Sequence, residues 1–127
     1  MMSRVSEIVE VWGPLRLQEL VDAIAPALRV RGRRTQVSIA GAEVATTIVT
    51  EDALVVTTYP IDGAREPWEP DWRVSVAGDG TVEARRALMA ELCRHLVATT
   101  PWAVVANSSD DSTGYVERPP AGWTGWR

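Results

Sequence analysis

Hydrophobic positions in residues 81–102 recur at helical spacing. Leu88, Leu92 and Leu96 fall at i, i+4 and i+8, Met89 and Cys93 widen the stripe, and Glu83, Arg86, Glu91 and Arg94 lie on the opposite arc. Thr81 can accept from the free amides of a first turn, Glu83 suits the positive helix end, and Thr99-Thr100-Pro101 stops the helix because a residue before proline avoids αR. The spacing therefore predicts a helix over about 82–98 with one buried face, against which the rest of the chain packs.

Upstream, Val5, Ile8, Val9 and Trp12 stand at i, i+3, i+4 and i+7, which predicts a short amphipathic helix over residues 4–12, interrupted by Gly13-Pro14. Leu17, Leu20, Val21, Ile24 and Leu28 make a second apolar stripe after Pro14, ended or kinked near Ala25 by Pro26. Beyond the run Arg29-Val30-Arg31-Gly32-Arg33-Arg34 the period changes to alternation. Val37 and Ile39 alternate with Gln36 and Ser38, and residues 44–50 and 54–59 are rich in β-branched side chains, which predicts three antiparallel strands. Residues 60–71 hold three prolines and read as an irregular excursion. Trp72, Val74 and Val76 then alternate as a fourth strand, residues 102–106 read as a buried strand, residues 107–114 as a polar loop, and residues 115–118 as an edge strand stopped by Pro119-Pro120. The order helix, helix, four strands, helix, two strands predicts an α+β two-layer sandwich: a mainly antiparallel sheet of about five to six strands, with N-terminal helices and the long helix on one face.

At 127 residues the chain fits a single α+β domain over 1–127 that can bury a core without staples. It has no apolar run of membrane-spanning length, and its N-terminus, with one arginine followed by acids, does not read as a signal peptide. Its one cysteine cannot form an internal disulfide, so a cytoplasmic setting is expected. All thirteen basic residues are arginine and phenylalanine is absent, a codon pattern suggesting an actinobacterial or actinophage genome, in which case a virion location is also open. A net charge of -4 argues against nonspecific nucleic-acid binding and leaves a basic partner open.

Candidate chemistry is sparse. Cys93 and His95 are the single thiol and single imidazole, but two residues apart on a helix they point about 200° apart and do not face each other, so a core cysteine and a flanking histidine are expected. A second histidine or cysteine is lacking, so no transition-metal site is expected; residues 107–114 lack the alternating acids of a calcium loop, and no glycine cluster matches a phosphate-cradling loop. Cofactors are expected to be none, and no nucleophile, base and orienter triplet is visible. Arg31, Arg33 and Arg34, with Arg29, form the one basic cluster, a secondary candidate patch that reads either as an anion grip or as protection of a strand edge. Six tryptophans stand out in a chain without phenylalanine. Trp72 and Trp102 read as core, whereas Trp68, framed by Glu66, Glu69 and Asp71 in a proline-rich loop, reads equally as a partner anchor or as a lid on the core. The expected partner-binding residues are therefore Glu66, Trp68, Glu69 and Asp71.

The layout of the second half, Trp72-Arg73-Val74-Ser75-Val76, the helix to Ala98, then Pro101-Trp102-Ala103-Val104-Val105-Ala106 and a polar turn into Tyr115-Val116-Glu117-Arg118, resembles the small immunity proteins of bacterial polymorphic-toxin systems. That resemblance implies a non-enzymatic acidic inhibitor that neutralises a toxin domain by direct binding, and it carries no functional residue over. The alternative expectation is a phage or virion assembly subunit, such as a tail terminator or connector-like ring protein, contacting neighbouring virion subunits or its own copies. A small enzyme is third. A protein partner is expected in the first two readings, with nucleic acid unlikely and no membrane.

Overall fold

The computed structural model of the chain describes residues 7–41, 43–61, 69–78, 81–108 and 114–119. Seven strands run in the order β1 (Glu7–Trp12), β2 (Val30–Val37), β3 (Glu43–Thr50), β4 (Leu54–Pro60), β5 (Trp72–Gly78), β6 (Ala103–Ser108) and β7 (Gly114–Arg118). Helix α1 (Leu17–Ile24), continued by a 3-10 turn (Ala25–Ala27), follows β1, and helix α2 (Val82–Thr99) follows β5. The strands form one sheet in spatial order β2-β3-β4-β5-β1-β6-β7, with every pairing antiparallel. This is an α+β sandwich with a mainly antiparallel sheet, as the periodicity predicts.

Pleating puts both helices on the same side. Val9 pairs with Val74 and Ala106, Val11 with Val104, and Val56 with Ile48 and Val76. All of these are buried in one cluster with Leu17, Leu20, Val21 and Ile24 of α1 and Met89, Leu92, Cys93 and Leu96 of α2. A strand shows alternate residues to opposite faces, so this one set of positions defines the helix-covered face.

The helix predicted over residues 4–12 is a correction. Residues 7–12 form β1, which lies between β5 and β6 and is hydrogen-bonded along both edges. The apolar set Ile8, Val9, Val11 and Trp12 satisfies either period over so short a run. A six-residue helix is marginal alone, whereas a strand with two partners satisfies all its backbone groups. The extra strand raises the sheet to seven, and α1 is the one N-terminal helix among the described residues.

A second correction concerns β2. It begins at Val30, inside the arginine run, and ends at Val37; Ile39 lies in the turn and is fully exposed. The alternation at 37 and 39 therefore marks no core face.

Helix α2 starts and stops as its sequence predicts. Thr81 is the N-cap, its Oγ1 accepting from Ala84 N at 3.0 Å, and Thr100, extended before Pro101, ends it. Its buried stripe is rotated relative to the leucine spacing: Arg85, Met89, Leu92, Cys93 and Leu96 are buried while Leu88 sits at the margin. At its C-terminal end Arg118 of β7 donates to three carbonyls, from Nη2 to Val97 O (2.8 Å) and from Nη1 to Thr100 O (2.6 Å) and Trp102 O (3.1 Å). A cation at the negative helix end thereby also ties the last strand to the helix. In α1 the N-cap Arg16 supplies no side-chain bond; Glu19 Oε1 accepts from Leu15 N at 2.8 Å instead.

One feature of the sheet positions the candidate site. β3 pairs with β2 as far as Glu43 but with β4 only from Thr46 to Val49, so the end of the β2–β3 hairpin is paired only within itself, as an arm.

Candidate protein-docking interface

The arm is built from residues that favour strand but find no core. Beside β3, every residue of β2 except half-buried Thr35 is exposed, and Thr35 Oγ1 lies 3.1 Å from Thr46 Oγ1 across the pair. The turn from Ser38 to Gly41 closes with Gly41 N donating to Ser38 O at 2.9 Å, Gly41 taking φ 87, a region open to glycine. Five large hydrophobic side chains are exposed among the described residues, and four of them, Val30, Val37, Ile39 and Val44, belong to this hairpin. Apolar surface concentrated on one hairpin, and not scattered, is the pattern of an interaction site.

The sheet ends at β2, so half of its backbone amides and carbonyls point away from β3 toward open space. Its arginines border that edge on both faces. Arg33 stands opposite Ile48, on the helix-covered face, and Arg34 opposite Thr47, on the other; Arg31 sits at the irregularity between Val30 and Gly32. Arg29 pairs with Glu51 at 2.9 Å, whereas Arg31, Arg33 and Arg34 have no ion-pair partner among the described residues. A groove of about 550 Å³ runs beside Arg34, Gln36, Val37 and Thr47. The structure thus brings the three residues of the basic patch together on one edge, flanked by apolar side chains.

The acidic loop fares differently. Glu66 and Trp68 lie outside the described residues. Glu69 is half-buried, and Asp71 works inside the fold: its Oδ2 accepts from Gly13 N at 3.0 Å, its amide donates to Val11 O, and its carbonyl accepts from Ile61 N. Trp72 donates from Nε1 to Pro14 O at 2.7 Å, and Trp72 and Trp102 pack against the core. The described end of the loop therefore pins the β1–α1 turn to β5.

A cleft of about 400 Å³ separates α2 from the β3–β4 turn, with Leu54, Ala87 and Leu88 in its walls and Asp52 and Glu91 at its rim. The adjoining turn holds Ala53 at φ 62, a conformation that costs an alanine. Thr50 also lines this cleft, its Oγ1 accepting from Leu54 N at 3.1 Å. Cys93 is fully buried, and no group of three or more His, Cys, Asp or Glu that could hold a metal ion occurs among the described residues. No helix among them is long and apolar enough to cross a membrane.

The sequence marks Arg31, Arg33 and Arg34 as a secondary candidate patch but does not place them on a strand, because they stand between a helix and an alternating run. The available signal was the exposure of both faces at once: a strand of Arg31, Arg33, Arg34 and Gln36 offers the core nothing on either side. No protein-family model, curated protein or solved structure matches the chain.

Proposed function

We propose that this protein is a non-enzymatic binding module of the immunity type, which neutralises a toxin domain by holding it in a complex through the β2–β3 arm. The observation that carries the reading is the concentration of exposed hydrophobic side chains, Val37, Ile39 and Val44, at the end of an element that contributes little to the core. Their exposure opposes folding in isolation, and burial against a partner removes that cost. The fold supports the reading in a second way: a seven-stranded sheet braced by two helices on one side is a stiff base, so an arm extending from it is presented with little entropy left to lose. The partner's residues are free to meet either face of the arm.

The test is neutralisation in cells. The chain is co-expressed with the toxin-domain candidates encoded by the reading frames that flank its gene, and survival is scored for the parent and for Val37→Asp combined with Ile39→Asp. Rescue by the parent and loss of rescue by the double variant, with an unchanged thermal unfolding midpoint, is the expected result. Full rescue by the double variant would remove the arm from the interface.

A second reading, a ring-forming assembly subunit, draws on the sheet having its two edges at β2 and β7, which permits head-to-tail pairing of copies. Light scattering on the eluted protein separates the two: a monomer or dimer suits the inhibitor, a closed hexamer the ring.

A further inference from the structure

We infer that the outer edge of β2 accepts an acidic, extended segment of a partner protein as an eighth strand of the sheet, paired along residues 32–37. The inference deepens the protein-binding reading and rests on it.

Three observations on the same strand converge. First, β2 is terminal in the sheet and exposed except at half-buried Thr35, so its outward amides and carbonyls form a row of donors and acceptors without a strand partner among the described residues, at the spacing of a strand ladder. Backbone pairing to such an edge supplies affinity, and the side chains that flank it supply selection. Second, the flanking side chains carry one sign of charge on both faces. A strand laid against β2 has Arg33 as neighbour on the helix-covered face and Arg34 on the other, with Arg31 beyond the bulge, and none of the three is neutralised by an ion pair among the described residues. Opposite charges across a strand pair stabilise and like charges oppose, so the edge favours carboxylates at alternate positions on either side. Third, Val37 and Ile39 extend the edge with exposed apolar surface at the arm's end, which suits a segment whose acids give way to a hydrophobic residue there.

The same features exclude the two nearest alternatives. A second copy pairing its own β2 to this β2 would set these arginines against their equivalents, which is how natural edges avoid self-association. A nucleic acid would find phosphate contacts but no aromatic side chain for its bases, since residues 29–41 contain none, and the chain as a whole carries a net charge of -4. The ladder available from Gly32 to Val37 accommodates about six residues of partner chain.

The test uses the intact protein and synthetic probes. A fluorescein-labelled octapeptide of alternating glutamate and valine is titrated and read by fluorescence anisotropy, beside a lysine-valine counterpart and two glutamate-valine peptides N-methylated at every second amide, one in each register. The acidic peptide is expected to bind saturably, at least about tenfold more weakly when sodium chloride rises from about 0.05 to about 0.5 M. Arg33→Glu combined with Arg34→Glu is expected to weaken it by at least about tenfold. The lysine peptide should not bind, and one register of N-methylation should abolish binding because a ladder needs those amides. Equal binding of the acidic and basic peptides, or indifference to both registers of N-methylation, overturns the inference. So does displacement of the acidic peptide by a random duplex DNA at lower concentration. The N-methylated probes require no variant, so the outcome does not depend on a substituted chain folding. If the acidic peptide adds to β2 but no flanking toxin is neutralised, the edge chemistry stands and the immunity reading falls; if the arm variants abolish neutralisation while the peptides ignore β2, the reverse holds.

Discussion

Glu7 is fully buried on the helix-covered face, directly across from Val76, with Arg86 Nε 3.9 Å from Oε1 and no hydrogen bond to either carboxylate oxygen. The Arg86 side chain is 38% exposed and keeps access to water, so the desolvation cost falls mainly on the carboxylate. Glu7→Met, similar in volume and without charge, is therefore expected to raise stability by about 1 kcal/mol or more, read from the urea midpoint. A loss of similar size would mean that the carboxylate is satisfied by a group this account does not include. Leu92 has the opposite character: fully buried between the helices and the sheet, it leaves a cavity when truncated, and Leu92→Ala should cost about 2–5 kcal/mol in denaturant unfolding. The thiol of Cys93, equally buried on the same stripe, serves packing, so Cys93→Ser should lower stability while leaving partner binding per folded molecule unchanged.

Elements whose identity is decided locally were legible, and those decided by distant partners were not. Helix α2 carries its cap at Thr81, its stop at Thr100-Pro101 and a strong period, and its residues form the predicted helix; strands β4 and β5 alternate cleanly and do likewise. β1 was misread because its six residues fit both periods, and only β5 and β6, more than sixty residues away in sequence, decide between them. The arm was hidden for a related reason: β2 lacks an apolar face, so it is held as a strand by pairing with β3 alone. Two elements make predictions of their own. The β1–α1 turn passes so close to Trp102 that a Cβ on Gly13 would clash with the indole Cδ1, and Gly13 has φ 132, so Gly13→Ala should cost about 2–4 kcal/mol in thermal or chemical unfolding. β7 is tied to α2 by the guanidinium of Arg118, so Arg118→Ala should cost about 2 kcal/mol, and Arg118→Lys should restore less than half of it because an ammonium cannot span three carbonyls as a planar fork does. Full restoration by lysine would reduce this contact to simple charge.

Over the whole molecule, stability and recognition are, on the proposed reading, separated in space. The core lies beneath α1 and α2, across β1, β3, β4, β5 and β6, while four of the five exposed large hydrophobic residues among the described residues, together with Arg31, Arg33 and Arg34, lie on the hairpin at one edge of the sheet. The net charge of -4 is thus unevenly placed, with a basic edge on an acidic body, an arrangement that orients an approaching charged partner. Substitutions in the arm should change binding and leave unfolding nearly untouched, and substitutions under the helices should do the reverse. Amide hydrogen exchange on the complex with a neutralised toxin domain tests this separation most directly. New protection is expected to be confined to β2 and the turn at residues 38–41, with the amides of α1, α2 and β7 exchanging as in the free protein. Protection centred on the helices or on the cleft beside α2, with β2 still exchanging freely, would contradict that separation.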